Sequence, residues 1–388
     1  MKENISSLES KAQLFINRFQ ESGEEIYIFG AGMIGRDIEN IMSVYGCVAG
    51  FIDNDLNKQK SGYLGYKVYS LEEYLELKKS GYILIAVSSE KILAIKEQLV
   101  EAGLMLGRDY YIKEVFPLIS YFYYNKIFME LCQISLTERC TLKCEKCAHA
   151  CYNVSRNARD MPIDEAKESA DMLFGKVDVI GEFTLIGGEP FLYRNIAEII
   201  DYIGSRYLKK IGVFSITTNG TLFPTEEVLE LCRKYNILIR ISNYSGAIPY
   251  LTQKYNALLE LLKKYGIQYV LGAQEHEWMD YGFGVFDRGT EADLNMVFQQ
   301  CRTNCREVRT GKLYYCVMAR SVSDNLKLKI GKDDYLDLRT IKPDNRDDLF
   351  LFQMGYFEKG YLDMCRYCRG SEAALYPIPA AVQKRNSN

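Results

Sequence analysis

Three cysteines lie close enough along the chain to serve one metal centre, in the run Cys140-Thr-Leu-Lys-Cys144-Glu-Lys-Cys147. Thiolates spaced with three and two residues between them close round a single centre from one loop. They leave a position open when that centre takes four ligands. An iron–sulfur cluster with one open iron is the sharper chemistry, and a zinc site completed by His149 or Cys151 is the plainer one. Further on stands Gly187-Gly188-Glu189-Pro190. A glycine pair permits close backbone approach and Glu189 offers a carboxylate to an ammonium group, neither of which a zinc knuckle needs. A second group, Cys301, Cys305, Cys316, Cys365 and Cys368, follows much later. Cys47, Cys132 and Cys232 sit in apolar contexts and read as core.

Groups so far apart in sequence need a scaffold, and from Leu131 the chain alternates strands with amphipathic helices for about 140 residues. The expected strands are CQISLTE, EFTLIGG, IGVFSITTN, ILIRISN and IQYVLG. Each ends in polar or small residues, and in a βα barrel those ends share the face where chemistry gathers. After Gly272 the periodicity stops, and a loop-rich, cysteine-bearing segment runs from Cys301 to Cys368. Upstream, IYIFG runs into Gly30, Gly32 and Gly35 and then a helical pattern, while VAGFID ends at Asp53. That is the strand, glycine turn and acidic residue of a nucleotide-binding unit, or equally a scaffold whose glycines only close the turn. The expected organisation is 1–115, a linker helix at 116–130, a barrel at 131–290 and an extension at 291–388, with QKRNSN a frayed tail.

Composition narrows the function further. With 388 residues and 48% apolar composition the chain suits two or three packed domains. Lys+Arg of 48 against Asp+Glu of 51 leaves a net charge of -3, without the broad positive field of a nucleic-acid binder. No stretch approaches the length of a membrane span and the start lacks a signal-peptide core, so a cytoplasmic protein with no membrane partner is expected. In that compartment twelve cysteines read as ligands before disulfides, and two histidines are too few for an imidazole-built site.

The CxxxCxxC loop, the GGEP at 187–190, Thr218-Asn219-Gly220 and Ile241-Ser242-Asn243, in order on successive strands, resemble the radical S-adenosylmethionine (SAM) superfamily. The resemblance implies an α/β protein with a central partial (βα)6 barrel. In it Cys140, Cys144 and Cys147 hold a 4Fe-4S cluster whose open iron takes SAM. Gly187, Gly188, Glu189 and Pro190 would face the methionine amine, with Thr218 and Asn219 beside them and Ser242 with Asn243 or Tyr244 near the ribose. An aromatic residue usually precedes the third cysteine; here Lys146 stands there, and its stem or Tyr152 serves instead. The second cysteine group resembles the twitch or SPASM extensions that hold auxiliary 4Fe-4S clusters. Four thiolates suffice for one cluster, so Cys301, Cys316, Cys365 and Cys368 are the expected ligands and Cys305 the spare, with a zinc ribbon the alternative. Cys151, just past the loop, is a candidate hydrogen-atom donor.

The N-terminal wording GAGMIG and GFIDND resembles Rossmann-like domains of sugar-modifying proteins from bacterial polysaccharide clusters. CTLKCEKC, EHEWMDYG and CRYCRG resemble radical SAM proteins of such clusters. These resemblances imply a carbohydrate or nucleotide-linked sugar substrate, oxidised or epimerised, with a flavodoxin- or ferredoxin-type electron donor. Tyr152, Arg156, Tyr244, His276, Trp278 and Asp280 are the candidate substrate residues. A maturase of a ribosomal peptide or a sulfatase is the alternative within the superfamily, and a non-catalytic iron–sulfur or zinc binding module the alternative outside it.

Overall fold

The structure, a computed structural model, describes residues 2–21, 23, 25–77, 81–87, 89–112, 115–274, 277–284, 287–301, 303–342, 346–356 and 358–384. The chain divides into two compact units: 1–129 with 177–181 and 209–213, and 130–176 with 182–208 and 214–388.

The first unit holds a five-stranded sheet of β1 (Ile26–Phe29), β2 (Val48–Ile52), β3 (Val68–Tyr69), β4 (Tyr82–Ile85) and β5 (Tyr110–Ile112), in the order β3-β2-β1-β4-β5. All four pairings are parallel. The central strands β1 and β4 are buried throughout, which is why IYIF and YILI read as unbroken apolar runs rather than as alternation. Helices α1 (Lys2–Glu21), α2 (Met33–Met42), α3 (Leu56–Ser61), α4 (Leu71–Glu76), α5 (Ser89–Glu101) and α6 (Phe116–Phe122) complete the unit. The long α1 has no counterpart in the sequence reading. The linker helix expected over 116–130 is α6 alone. Phe116 and Ile119 enter the core of this unit, and Asn125, left-handed at φ 50°, turns the chain away from helix.

The second unit carries an eight-stranded sheet. Five consecutive strands, β6 (Phe128–Thr137), β7 (Val179–Gly187), β8 (Ile211–Thr218), β9 (Leu238–Ile241) and β10 (Tyr269–Leu271), alternate with α7 (Ile163–Phe174), α8 (Ile196–Tyr207), α9 (Glu226–Lys234) and α10 (Leu251–Lys264). Beyond them come β11 (Glu277–Met279), α11 (Glu291–Gln300), β12 (Cys305–Arg309), β13 (Lys312–Tyr314), α12 (Val317–Leu326), β14 (Tyr335–Asp337), α13 (Arg346–Gln353) and β15 (Pro377–Pro379). The sheet order is β10-β9-β8-β7-β6-β12-β13-β14. The sixth parallel strand is therefore β12, seated on the free side of β6 with Cys305 opposite Leu131 and Glu307 opposite Gln133. The extension is less loop-rich than its sequence suggests, because β6 would otherwise present an unpaired row of backbone donors and acceptors. The sheet finishes antiparallel through β13 and β14, and β11 and β15 form a separate antiparallel pair. Among the described residues no helix is long and apolar enough to cross a membrane.

Candidate active site

The cysteine loop leaves the end of β6 through a fixed exit. The Thr137 hydroxyl donates to Asp160 at 2.6 Å and accepts the Arg139 N–H at 3.1 Å. The Arg139 guanidinium grips both oxygens of Asp160, at 2.8 and 2.6 Å. Within the loop, Lys146 and Ala150 are left-handed at φ 57° and 52°, a conformation that β-carbon residues adopt at a cost. The Leu142 N–H points at the Cys140 sulfur at 3.4 Å. Burial pushes the Cys140 thiol up to about 11 and the Cys144 thiol up to about 12, so as bare thiols they stay protonated. A cationic metal centre reverses that preference, and a donor set of three thiols on one loop fits such a centre. Among the described residues no three His, Cys, Asp or Glu side chains converge as one metal ion would require.

The end of β7 forms the neighbouring wall. A β-carbon on Gly188 would stand 2.3 Å from the Arg139 carbonyl oxygen and 2.8 Å from the Cys140 β-carbon, so only glycine lets this strand end lie against the loop. Glu189 is fully buried and accepts from the Thr218 hydroxyl at 2.8 and 2.9 Å, the Asn219 N–H at 2.9 Å and the Phe191 N–H at 3.2 Å. Burial nevertheless prevails over these donors and raises its carboxyl to about 7. The carboxylate that the sequence offers to an ammonium group is thus already held by protein donors, as a buried carboxyl must be. Pro190 opens the following turn.

Asn219, at the end of β8, reaches back to the loop, its side-chain amide 3.5 Å from the Cys140 sulfur and 3.1 Å from the Thr141 hydroxyl. Ser242 donates its N–H to the Thr218 carbonyl at 2.9 Å, and the Asn243 amide donates to the Gly272 carbonyl at 3.1 Å. One residue missed by the sequence reading organises these ends. The Tyr255 hydroxyl, from α10, lies 3.2 Å from the Asn219 carbonyl and 3.0 Å from the Ser242 carbonyl, and accepts the Tyr244 N–H at 3.1 Å. Its signal was a tyrosine on the buried face of an amphipathic helix, one of 30 tyrosines in the chain.

Tyr244 is the candidate substrate residue most closely tied to the thiols. Its hydroxyl bonds the Ser242 side chain, and burial raises it, with Cys144, Cys147 and Cys140 adding to the shift. Its ring meets Trp278 edge-on, centroids 5.5 Å apart. Asp280 instead pairs with Lys146 at 3.1 Å and Arg369 at 3.2 Å. Burial works against that charge, but the Gly282 N–H and the two cations hold the carboxyl below its usual range. Lys146 is therefore an ion-pair partner on the loop. Tyr152 lies under the Lys384 ammonium at 5.2 Å, and Arg156 is exposed. Cys151 is buried and free, with its thiol hydrogen-bonded to the Cys147 sulfur. His276 lies outside the described residues.

The C-terminal cysteines separate into two environments. Cys301, Cys316, Cys365 and Cys368 line one apolar cavity of about 370 Å³ with Tyr281 and Phe298. Cys305 is not among its lining residues; its thiol lies 3.4 Å from the Gln133 side-chain oxygen, beside β6. Cys47, Cys132 and Cys232 are buried, as expected. In the first unit, the Asp53 carboxylate is occupied by the Ala31 N–H at 2.8 Å, the Asp55 N–H at 2.9 Å and Lys58 at 3.1 Å. A β-carbon on Gly35 would lie 1.9 Å from the Gly30 carbonyl oxygen, whereas Gly32 faces open space.

Residues 134–273 match the Radical SAM superfamily model, a little over a third of the chain. Over 110 residues the chain is 41% identical to the antilisterial bacteriocin subtilosin biosynthesis protein AlbA of Bacillus subtilis, which is 28% of this chain and 22% of that protein. Over 90 residues it is 37% identical to the GTP 3',8-cyclase of Synechocystis, which is 23% of this chain and 25% of that protein. The chain thus spans about a quarter of the length of these curated relatives. Among solved structures, BtrN in complex with AdoMet and 2-DOIA is 17% identical with a TM-score of 0.38, over 64% of this chain and 98% of that one. Streptococcus suis SuiB bound to the precursor peptide SuiA is 17% identical with a TM-score of 0.32, over 47% of this chain and 46% of that one. Residues 134–273 thus match a radical SAM domain, and the cofactors are S-adenosylmethionine and a 4Fe-4S iron–sulfur cluster.

Proposed function

We propose that the protein reductively cleaves SAM and removes hydrogen from an unactivated carbon of a carbohydrate or nucleotide-linked sugar. The reading rests above all on the three-cysteine loop of 140–147, whose Cys140 end lies against Gly188 and is tied through Asn219 to the buried Glu189, within the segment that matches a radical SAM domain. Cys140, Cys144 and Cys147 would hold the first cluster. When bound, the cluster and SAM supply one-electron cleavage of the sulfonium and the 5'-deoxyadenosyl radical that takes the hydrogen. Glu189 ties the ends of β7 and β8 together and so positions Thr218 and Asn219, and through Asn219 the Cys140 sulfur. Tyr255 does the same for the ends of β8 and β9. Tyr244 and Trp278 offer an apolar edge on which a sugar ring or base can stack.

Cys301, Cys316, Cys365 and Cys368 would hold an auxiliary 4Fe-4S cluster in their shared cavity, which supports a twitch-like extension over 291–388 and favours oxidation, with that cluster accepting the second electron. On this reading the first unit is a Rossmann-like domain, 131–290 is the partial barrel, and a cytoplasmic flavodoxin or ferredoxin delivers the first electron. Maturation of a peptide is the second reading, and the AlbA match is the observation that favours it.

Anaerobic incubation with SAM and dithionite tests the first step. Reconstituted protein is expected to release 5'-deoxyadenosine, and Cys144→Ala to release none; wild type that binds iron yet cleaves no SAM would refute the reading. Cys316→Ala is expected to keep SAM cleavage and lose substrate turnover, measured with sugar nucleotides in one arm and peptides in the other.

A further inference from the structure

The segment after β15 returns to the cysteine loop and binds it along both backbones. The Glu145 N–H donates to the Val382 carbonyl at 2.7 Å and the Lys384 N–H to the Lys143 carbonyl at 2.7 Å, with Cys144 and Gln383 facing each other as an antiparallel bridge. Residues 383 and 384 are thus an ordered strap, where the sequence suggested the start of a frayed tail.

The Gln383 side chain completes the contact. Its oxygen accepts the Lys143 N–H at 2.8 Å, and its nitrogen lies 2.7 Å from the Ala381 carbonyl and 3.1 Å from the Cys144 sulfur. These partners fix the orientation of the amide. A backbone N–H requires the oxygen on one side and a carbonyl requires the NH2 on the other, which leaves the second amide hydrogen to the sulfur. Cys144 is 7% exposed, so little water competes for that hydrogen.

We propose that Gln383 is a positioning and tuning residue for the cluster centre, donating an N–H···S hydrogen bond to Cys144 while the strap shields that thiolate. The inference rests on the reading of Cys144 as a cluster ligand. Hydrogen bonds to ligating sulfurs stabilise the more negative, reduced state of an iron–sulfur cluster and raise its potential. A neutral donor delivered by a strap of chain supplies this without placing a cation next to the open iron.

Two measurements test it. Potentiometric titration followed by electron paramagnetic resonance reads the first cluster in protein whose auxiliary cysteines Cys301 and Cys316 are both replaced by alanine. Gln383→Leu is expected to lower the reduced-to-oxidised ratio at fixed potential about tenfold, equivalent to about 59 mV for one electron. Gln383→Glu should lower it further, because a carboxylate repels the added electron. In metal-free protein, iodoacetamide alkylation mapped by mass spectrometry should be several-fold faster at Cys144 in Gln383→Ala than in wild type, with Cys140 as the internal reference. An unshifted potential, or alkylation rising equally at Cys140, Cys144 and Cys147, overturns the inference. Wild type with no reducible 4Fe-4S signal would instead refute the radical SAM reading itself, and the alkylation arm still decides the strap contact if a variant loads no cluster.

Discussion

The five C-terminal cysteines differ in what surrounds each sulfur. Cys301, Cys316, Cys365 and Cys368 face a shared cavity, and the thiols of Cys316, Cys365 and Cys368 are all raised, by burial first and then by their mutual proximity. Cys305 is raised by burial too, but its next influence is Cys132 in the adjacent strand, which is a core environment. Protein with both clusters loaded should carry about eight iron atoms per chain. Cys305→Ser is expected to keep them, whereas Cys301→Ser should fall to about four, read by iron and sulfide assay; equal loss in both variants would move Cys305 into the ligand set. Spacing alone picks the same four and leaves Cys305 spare, but that Cys316 reaches Cys301, Cys365 and Cys368 by lining their cavity is seen only in the fold. What spacing does not convey is that Asp280, read as a substrate carboxylate, is consumed by Lys146 and Arg369.

At the scale of elements, α12 joins the two cysteine groups. Cys316 caps its N-terminus, and one turn on Arg320, with a fully buried side chain, ion-pairs with Glu138 and Glu307. Glu138 lies two residues before Cys140 and also accepts from the Asn325 amide at 3.0 Å, and Glu307 accepts from the Gln133 amide at 2.8 Å. Removing the cation leaves the buried Glu307 without its cation and Glu138 with Arg309 alone, at 3.5 Å, a loss of about 3–5 kcal/mol. Arg320→Met should therefore lower the urea midpoint of the metal-free protein strongly. Adding Glu307→Gln should restore part of it; a double variant no more stable than the single would mean that the arginine acts through packing.

None of this network is legible in the sequence, since Glu138, Glu307 and Arg320 carry no periodic or motif signal and meet only because β12 pairs with β6. The strands and helices from β6 to β10 were legible for the opposite reason. Their apolar spacing is local, and each strand ends at the residues named for it to within a few positions. The helix α1 carries local apolar spacing of the same kind, with Leu8, Ala12 and Ile16 buried at helical intervals, but it lies beside no motif.

For the whole molecule, buried carboxyls set the pH response. Asp334 is fully buried and accepts the Asp363 and Met364 N–H groups at 2.7 and 2.9 Å, holding the turn that carries Cys365. Burial, the largest influence, raises its carboxyl from 3.8 to about 6. A carboxyl whose folded value is raised holds its proton more tightly when folded. Its contribution is full below the unfolded value and lost as pH rises through the folded one, so stability falls between about pH 4 and 6. Two pH units correspond to about 3 kcal/mol. Glu189, raised to about 7, acts in the same direction over a slightly higher range. Glu138 opposes them: burial would raise it, but Arg320 and Asn325 outweigh burial, and its contribution is lost as pH falls below its ordinary value. Asn at position 334 can accept only one of the two N–H groups, which lowers stability by a constant amount, and it cannot titrate. The difference in unfolding free energy between wild type and Asp334→Asn, measured in metal-free protein, should therefore shrink from pH 4.5 to about pH 6.5 and level off above it. A difference that stays flat across that range would show that the Asp334 carboxyl is already ionised in the folded chain at pH 4.5, and that its two backbone donors outweigh burial.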